Sequence, residues 1–289
     1  MSIKKWLNKN TASLSSKTVA ISGATGGIGR QLCRHLVKLN ATLILLDRNM
    51  ERSHALADAL RSEIPSANIS HIQVDMENID NIRAAADKLS ALPVDYLILN
   101  AGAYSIPRHK CSTGYDNVFQ INFVSPYYLA ARLLPSIESR GGKVVAVGSI
   151  AHRYSQTDEC DVDFSSRDKA SLVYGNAKRY LMFSLCELSD SNSVVIAHPG
   201  ITFTNITAHY PKLIFAFIKH PMKVIFMSPR KASLCILQGI FKNHGECEWI
   251  GPRFFDVWGY PRTKKLRSAD ATEIARIRQT AKSIYQKMD

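Results

Sequence analysis

Six short stretches of the chain are apolar with almost no interruption: TVAISG (18–23), ATLILLD (41–47), NISHIQVD (68–75), VDYLILNAG (94–102), GKVVAVGS (142–149) and SVVIAHPG (193–200). A strand with one wet face alternates apolar and polar residues, so unbroken runs predict strands buried on both faces. The segments between them, 28–39, 78–91 and 115–138 among them, carry apolar residues at helical spacing. This β-α-β-α succession predicts an α/β fold, a doubly wound parallel sheet with helices on both faces. No repeat or Pro/Gly/Ser-rich linker divides the 289 residues, so residues 1–289 are expected to form a single domain.

Composition excludes several classes of protein. A hydrophobic share of 46% with 21% charged residues belongs to a folded soluble chain, not a disordered one. The start, MSIKKWLNKNTASLSSK, has no continuous apolar run and is expected to be a short polar lead-in, not a secretion signal. Six cysteines lie scattered without a C-x-x-C pair, which predicts no metal site, no disulfide framework and a reducing compartment, with the protein cytoplasmic and at most peripheral at a membrane.

The net charge of +13 is concentrated near the end, where residues 205–289 hold 15 Lys and Arg against 6 Asp and Glu. The expectation is a solvated basic face; anionic lipid and an acidic substrate are the alternatives. Nucleic acid is not expected, because no helix-turn-helix, zinc finger or RNA-binding aromatic motif accompanies the charge. Within this basic, partly apolar region, 209–227 (HYPKLIFAFIKHPMKVIFM) is broken by Lys219, Pro221 and Lys223 and is unfit to span a bilayer. A substrate flap, an interfacial membrane contact and plain core stay open for it. In the last segment, Asp270 is expected to cap a helix and Glu273 to complete a capping box, with Ile274, Ile277, Ala281 and Ile284 forming one apolar stripe.

ISGATGGIGRQL follows the first strand and opens a helix, with glycines at Gly23, Gly27 and Gly29. Small residues there let backbone approach a pyrophosphate, and the helix N-terminus offers unpaired N–H groups. Asp47 ends the second strand, where a carboxylate accepts hydrogen bonds from ribose hydroxyls and repels a 2′-phosphate. The adjacent Arg48 is suited to receive that phosphate. NAD is therefore expected as the preferred cofactor, with NADP as the alternative.

Two stretches offer a tyrosine four positions before a lysine: YGNAK (Tyr174, Lys178) and YPRTK (Tyr260, Lys264). In SLVYGNAKRYLMFSLCEL the first pair sits on a continuous helical pattern, so both side chains share one face. A phenol titrating near pH 10 needs about 4 kcal/mol of phenolate stabilisation to act near neutrality, and a lysine one turn away is positioned to give it. In WGYPRTKKLR the residue before proline is pushed toward extended geometry, so Tyr260 is expected in turn or tail structure without chemistry.

Taken in order, SGATGGIG, LNAG (Leu99 to Gly102), Asn122 in INF, Ser149, YGNAK and HPGITFT resemble the motifs of the short-chain dehydrogenase/reductase family over nearly the full chain. FFDVWGYP and the long 150–173 stretch are most similar to retinol-dehydrogenase-like and hydroxysteroid-dehydrogenase-like members. The resemblance implies a Rossmann fold, a nicotinamide cofactor and hydride transfer at a carbonyl carbon. It implies Tyr174 as general acid/base, Lys178 as the residue that lowers its pKa and binds the nicotinamide ribose, Ser149 as the holder of the substrate oxygen, and Asn122 as support for a proton-relay water. It also implies a cofactor cleft formed by Gly23, Thr25, Gly27, Ile28, Gly29, Asp47, Arg48, Asp75, Asn100, Ala101, Gly102, Tyr174, Lys178, Pro199, Gly200, Thr202 and Thr204, and a homodimer or homotetramer.

Three departures stand out. Ser22 replaces a threonine and Leu99 an asparagine, which is expected to weaken local hydrogen bonding, and Gly148 replaces a serine before Ser149. His152 and His198 are read as satisfied structural residues. The expected activity is interconversion of a secondary alcohol and a ketone on a bulky apolar substrate such as a hydroxysteroid or bile acid. A retinoid or lipid aldehyde reductase at a membrane surface, and a non-catalytic dinucleotide sensor, are the alternatives.

Overall fold

A computed structural model of the chain describes residues 1–188, 193–202, 226–242, 248–266 and 269–289. Its sheet runs in the order β3-β2-β1-β4-β5-β6-β7-β8. The strands are β1 (Thr18–Ser22), β2 (Thr42–Asp47), β3 (Ile69–Gln73), β4 (Val94–Leu99), β5 (Lys143–Val147), β6 (Val194–Ala197), β7 (Glu248–Phe254) and β8 (Trp258–Lys265). All neighbours pair parallel except β7 and β8, which form an antiparallel hairpin at the edge.

Two apolar layers account for the unbroken runs. On one face α2 (Gly27–Lys38), α3 (Met50–Glu63) and α8 (Pro229–Phe241) bury Leu36, Leu60 and Leu237 against Val19, Ile21 and Val145. On the other, α4 (Ile79–Ser90), α6 (Ser125–Ser139), α7 (Ala170–Cys186) and α9 (Ala271–Met288) bury Leu89, Leu133, Leu181 and Ile284 against Ala20, Leu97 and Val144. Successive residues of β1 from Val19 on thus point to opposite cores, and only Thr18 at its start stays partly exposed. Ile277, Ala281 and Ile284 are buried and Ile274 packs beside them, as the stripe required.

The order of the strands positions the site. The chain winds outward from β1 to β3, then returns to β4 on the other side of β1. At this reversal the connections leave β1 and β4 in opposite directions and a crevice opens beyond their C-terminal ends.

Four expectations need correction. The N-terminal lead-in is a helix, α1 (Ile3–Asn10), capped by Ser2 and held by the buried Trp6. WGYPRTKK is not a turn but β8; its proline is tolerated because an edge strand has one unpaired side. Glu273 does not return to the helix start: Asp270 Oδ1 accepts from Glu273 N at 2.7 Å, while the Glu273 side chain turns inward to Arg179. Cys186 is disulfide-bonded, against the expectation of no disulfide framework. Cys33, Cys111, Cys160 and Cys235 are free. Among the described residues no helix is long and apolar enough to cross a membrane. Most of 209–227 lies outside them, and so does Thr204.

Candidate active site

The crevice beyond β1 and β4 is a cleft of about 380 Å³. Its floor is the turn from β1 into α2. Gly23 there has φ 66, and a Cβ on it would lie 2.9 Å from Ala101 Cα. Gly29 is tighter still, since a Cβ would meet the Gly23 carbonyl oxygen at 2.3 Å. Helix α2 is capped by Gly26 with no side-chain hydrogen bond, whereas Asn49 and Asn78 cap α3 and α4 through their side chains. The first N–H groups of α2 therefore remain for a ligand, and the dipole end favours an anion.

Ser22 and Asn100 hold this turn against β4. Ser22 Oγ accepts from Asn100 N at 3.1 Å and Ala101 N at 3.0 Å, and Asn100 Nδ2 donates to the carbonyls of Ser22 and Gly23 at 3.0 and 2.9 Å. The expected weakening at Ser22 does not occur, because a serine hydroxyl makes both bonds.

Asp47 closes one end of the cleft but faces inward. It is 3% exposed and accepts from Thr25 N, Thr25 Oγ1 and Ser53 Oγ at 3.2, 3.1 and 3.0 Å. Arg48, whose side chain is 69% exposed, pairs with Glu77 at 3.6 Å, and Asn49 and Arg52 line the same end. Asp75, Ile28, Thr25, Gly27, Ala101 and Gly102 line the cleft. Gly26, Asn49, Arg52 and Met76 line it too and were not anticipated. Asn49 was legible as a helix cap before MERSHAL, and Arg52 then follows in the first turn.

Gly102 joins the cleft to the second cluster. A Cβ on it would lie 2.8 Å from Asn122 Oδ1 and 3.6 Å from Lys178 Nζ. Asn122 sits in a π-helical turn, Gln120–Val124, between α5 (Asn117–Phe119) and α6. Such a turn replaces the expected uninterrupted helix 115–138 and is frequent at functional sites. Asn122 is fully buried, donating from Nδ2 to the carbonyls of Ala103 and Val118, each at 2.8 Å.

Tyr174 and Lys178 share one face of α7, as their spacing requires. The Lys178 ammonium, 2% exposed, donates to the Val147 carbonyl at 2.9 Å and lies 5.7 Å from the centre of the Tyr174 ring. Burial pushes its pKa down to about 8. Tyr174 hydrogen-bonds with the Ser149 side chain, and its ring meets Tyr104 edge-on at 5.4 Å. Burial pushes the Tyr174 pKa up to about 12, against the expected lowering by Lys178. The physical reason is that removing a phenolate from water costs more here than the Ser149 hydrogen bond returns. Tyr260 and Lys264 are occupied elsewhere, by the Met1 carbonyl and by Asp256 Oδ1 at 2.6 Å.

Ser149 precedes a 3₁₀ turn, Ile150–Tyr154, and its hydroxyl accepts from Ala151 N at 3.2 Å. Gly148 is glycine because a Cβ would lie 2.7 Å from Ile196 Cγ2. Behind this loop, His152 Nδ1 donates to the Ser149 carbonyl at 2.5 Å and His198 stacks on Trp249 at 5.1 Å. Neither histidine is fully satisfied as expected: Nε2 of His152 and Nε2 of His198 are both buried with no partner among the described residues. Gly200 has φ 81, and Thr202 bridges Met227. Neither these two nor Pro199 is among the residues lining the cleft.

Known proteins are similar to this chain in sequence and in fold. A family model described as short chain dehydrogenase matches residues 17–160. Short chain dehydrogenase rstn4 of Aspergillus nomiae is 31% identical over 225 residues, 67% of this chain and 61% of that protein. Polyprenol dehydrogenase of Mus musculus is 24% identical, with 82% and 75% covered. Retinol dehydrogenase 13 of Homo sapiens is 28% identical, with 68% and 62% covered. The chain thus spans less than two thirds of the first and third of these relatives. A crystal structure from Mycobacterium paratuberculosis superposes with a TM-score of 0.75 at 22% identity over 96% of both chains, a likeness of fold. Matched by that model through the nucleotide half, and carrying Tyr174 and Lys178 on one helical face beyond it, the chain belongs to the short-chain dehydrogenase family.

Proposed function

We propose that the protein is an NAD(P)-dependent oxidoreductase that interconverts an alcohol and a carbonyl compound on an apolar, lipid-like substrate. The observation that carries this is the meeting of Ser149, Tyr174 and Lys178 beside a glycine-lined cleft at a free helix N-terminus. The cleft fits a dinucleotide: α2 and the Gly23–Gly29 turn suit the pyrophosphate, and Arg48 and Arg52 suit the adenosine end. Bound there, the nicotinamide supplies the acceptor or donor of hydride.

The chain's own residues handle the proton. Ser149 Oγ and the Tyr174 hydroxyl hold the substrate oxygen between them. In oxidation Tyr174, as phenolate, takes the alcohol proton; in reduction the phenol returns it. Lys178 is the cation available to that phenolate, and its pKa near 8 leaves it protonated at neutrality. Asn122, locked at the π turn, is suited to hold a water on the path to solvent. A catalytic tyrosine at about 12 is too basic to ionise alone, so the phenolate depends on the filled site.

Polyprenol and retinol name the substrates of two relatives, and both are apolar alcohols. These favour a lipid alcohol over the hydroxysteroid or bile acid, and a homodimer or homotetramer is proposed with it. The test is the appearance of reduced nicotinamide absorbance across retinol, a short polyprenol, hydroxysteroids, bile acids and simple alcohols, with NAD and with NADP, beside Tyr174→Phe. Turnover that the variant lacks, by about 10²–10⁴-fold, supports the reading. Dinucleotide binding without turnover on any alcohol would replace it with a sensor.

A further inference from the structure

The tip of the β7–β8 hairpin gathers three exposed aromatic rings. Phe255 is 92% exposed, Phe254 52% and Trp258 45%. Phe255 also has φ 53, a left-handed backbone that is costly for a bulky L-residue and free for glycine. Folding gains nothing from a ring held this way, so its return lies outside the chain.

The surrounding charge selects the partner. Lys231 Nζ lies 3.7 Å from the Trp258 ring centre and 4.9 Å from that of Tyr260, and the Arg253 guanidinium lies 6.0 Å from that of Phe254. Arg230, Arg253 and Arg262 are exposed. The acid at the tip, Asp256, adds no negative field, being 2% exposed and paired with Arg153 at 3.0 Å and Lys264 at 2.6 Å. Aromatic rings edged by Lys and Arg suit the headgroup layer of an anionic bilayer. A second copy is a poorer fit, because β8 is an open edge carrying Pro261, Arg262, Lys264 and Lys265, which blocks strand addition and repels a like strand.

The hairpin is fixed to the site. Arg153, which pairs with Asp256, lies in the turn after Ser149, and its neighbour Tyr154 is 61% exposed. Gly200 packs so closely that a Cβ would lie 2.8 Å from both Pro252 Cγ and the Val257 carbonyl oxygen.

We propose that this hairpin tip, Phe254, Phe255 and Trp258 with Arg253 and Lys231, docks on an anionic lipid bilayer and sets the Ser149 loop against the membrane from which an apolar alcohol enters. Entry of substrate rests on the oxidoreductase reading; docking does not.

The test is co-sedimentation of the full chain with phosphatidylcholine vesicles and with phosphatidylserine-rich ones, at low and high salt. Binding is expected on the anionic vesicles, with release by salt. Phe255→Gly removes the ring and relieves the backbone, and is expected to lower partitioning about tenfold or more. Arg253→Ala is expected to lower it about fivefold. Dinucleotide binding by both variants should be unchanged. Equal sedimentation of Phe255→Gly and the parent, or no preference for anionic vesicles, would overturn the proposal. So would a concentration-dependent dimer that Phe255→Gly dissolves, which would make the tip a contact between copies. Sedimentation that depends on Phe255, in a protein that turns over no alcohol, would leave docking standing and the oxidoreductase reading fallen.

Discussion

Arg179 and Glu273 meet in a bidentate ion pair, Nε to Oε1 at 2.6 Å and Nη2 to Oε2 at 2.5 Å, which fastens α9 to α7 one residue beyond Lys178. Glu273 also accepts from Thr157 N and Oγ1, and Arg179 Nη1 donates to the His152 carbonyl at 2.9 Å. Both side chains are under a tenth exposed. Glu273→Ala removes the carboxylate from a buried ion pair, and is expected to cost about 3–5 kcal/mol. The double change Arg179→Met with Glu273→Leu should cost much less than the sum of the single ones. Urea unfolding of the three variants checks this, and additive losses would contradict it.

The phosphate turn makes a prediction from two neighbouring glycines. A Cβ at Gly29 would sit 2.3 Å from the Gly23 carbonyl, whereas at Gly26 the nearest atom is 3.3 Å away. Gly29→Ala is expected to destabilise the chain by about 1–3 kcal/mol and to weaken dinucleotide binding. Gly26→Ala should fold normally. Thermal melting with and without NADP separates the two, and identical behaviour would contradict the tight packing at Gly29.

Cofactor choice is expected to follow charge at the end of β2. Asp47 spends its carboxylate on Thr25 and Ser53, while Arg48 and Arg52 line the cleft. Replacing both arginines by alanine should weaken NADP about tenfold or more, as loss of charge-assisted hydrogen bonds to phosphate does, with little change for NAD. Calorimetric binding of each dinucleotide measures it. Equal losses for both would place the arginines away from the 2′ position.

Acid should unfold the protein through its buried histidines. Burial pushes His152 and His198 down to about 4, as it does His35. Unfolded, they titrate near 6.5. Between those values the unfolded chain binds more protons, so stability falls as pH drops below about 6.5 and keeps falling until the folded rings titrate near 4. Above 6.5 these groups contribute no slope. His152→Asn keeps an N–H for the Ser149 carbonyl and cannot titrate, so its urea midpoint should decline less steeply from pH 6.5 to 4.5. A slope equal to the parent's would remove His152 from this account.

Local pattern made the sheet and the glycine turn readable, because a doubly covered strand and a helix entry each leave a short signature. The helical face shared by Tyr174 and Lys178 was readable for the same reason. What escaped depended on distant partners. Trp6 folds α1 only because the α2/α8 side offers it a core, and WGYPRTKK becomes a strand only where β7 supplies the ladder. Glu273 obeys Arg179, 94 positions away in sequence, over its own helix start. The pKa of Tyr174 likewise reflects burial that no spacing reveals.

The π turn at Gln120–Val124 has a consequence for the phase of the helix that contains it. Each residue of an α-helix advances the azimuth by about 100°, so one residue of surplus rotates everything after it relative to everything before. Asp116 and Val118 thereby stay with the loop that holds Asp163 and Phe164, while Leu129 and Leu133 stay with the sheet. A straight helix would serve only one of these two clients. Asn122 stands at the splice, and removing a single residue from the turn would heal the helix while swinging one of its halves out of true.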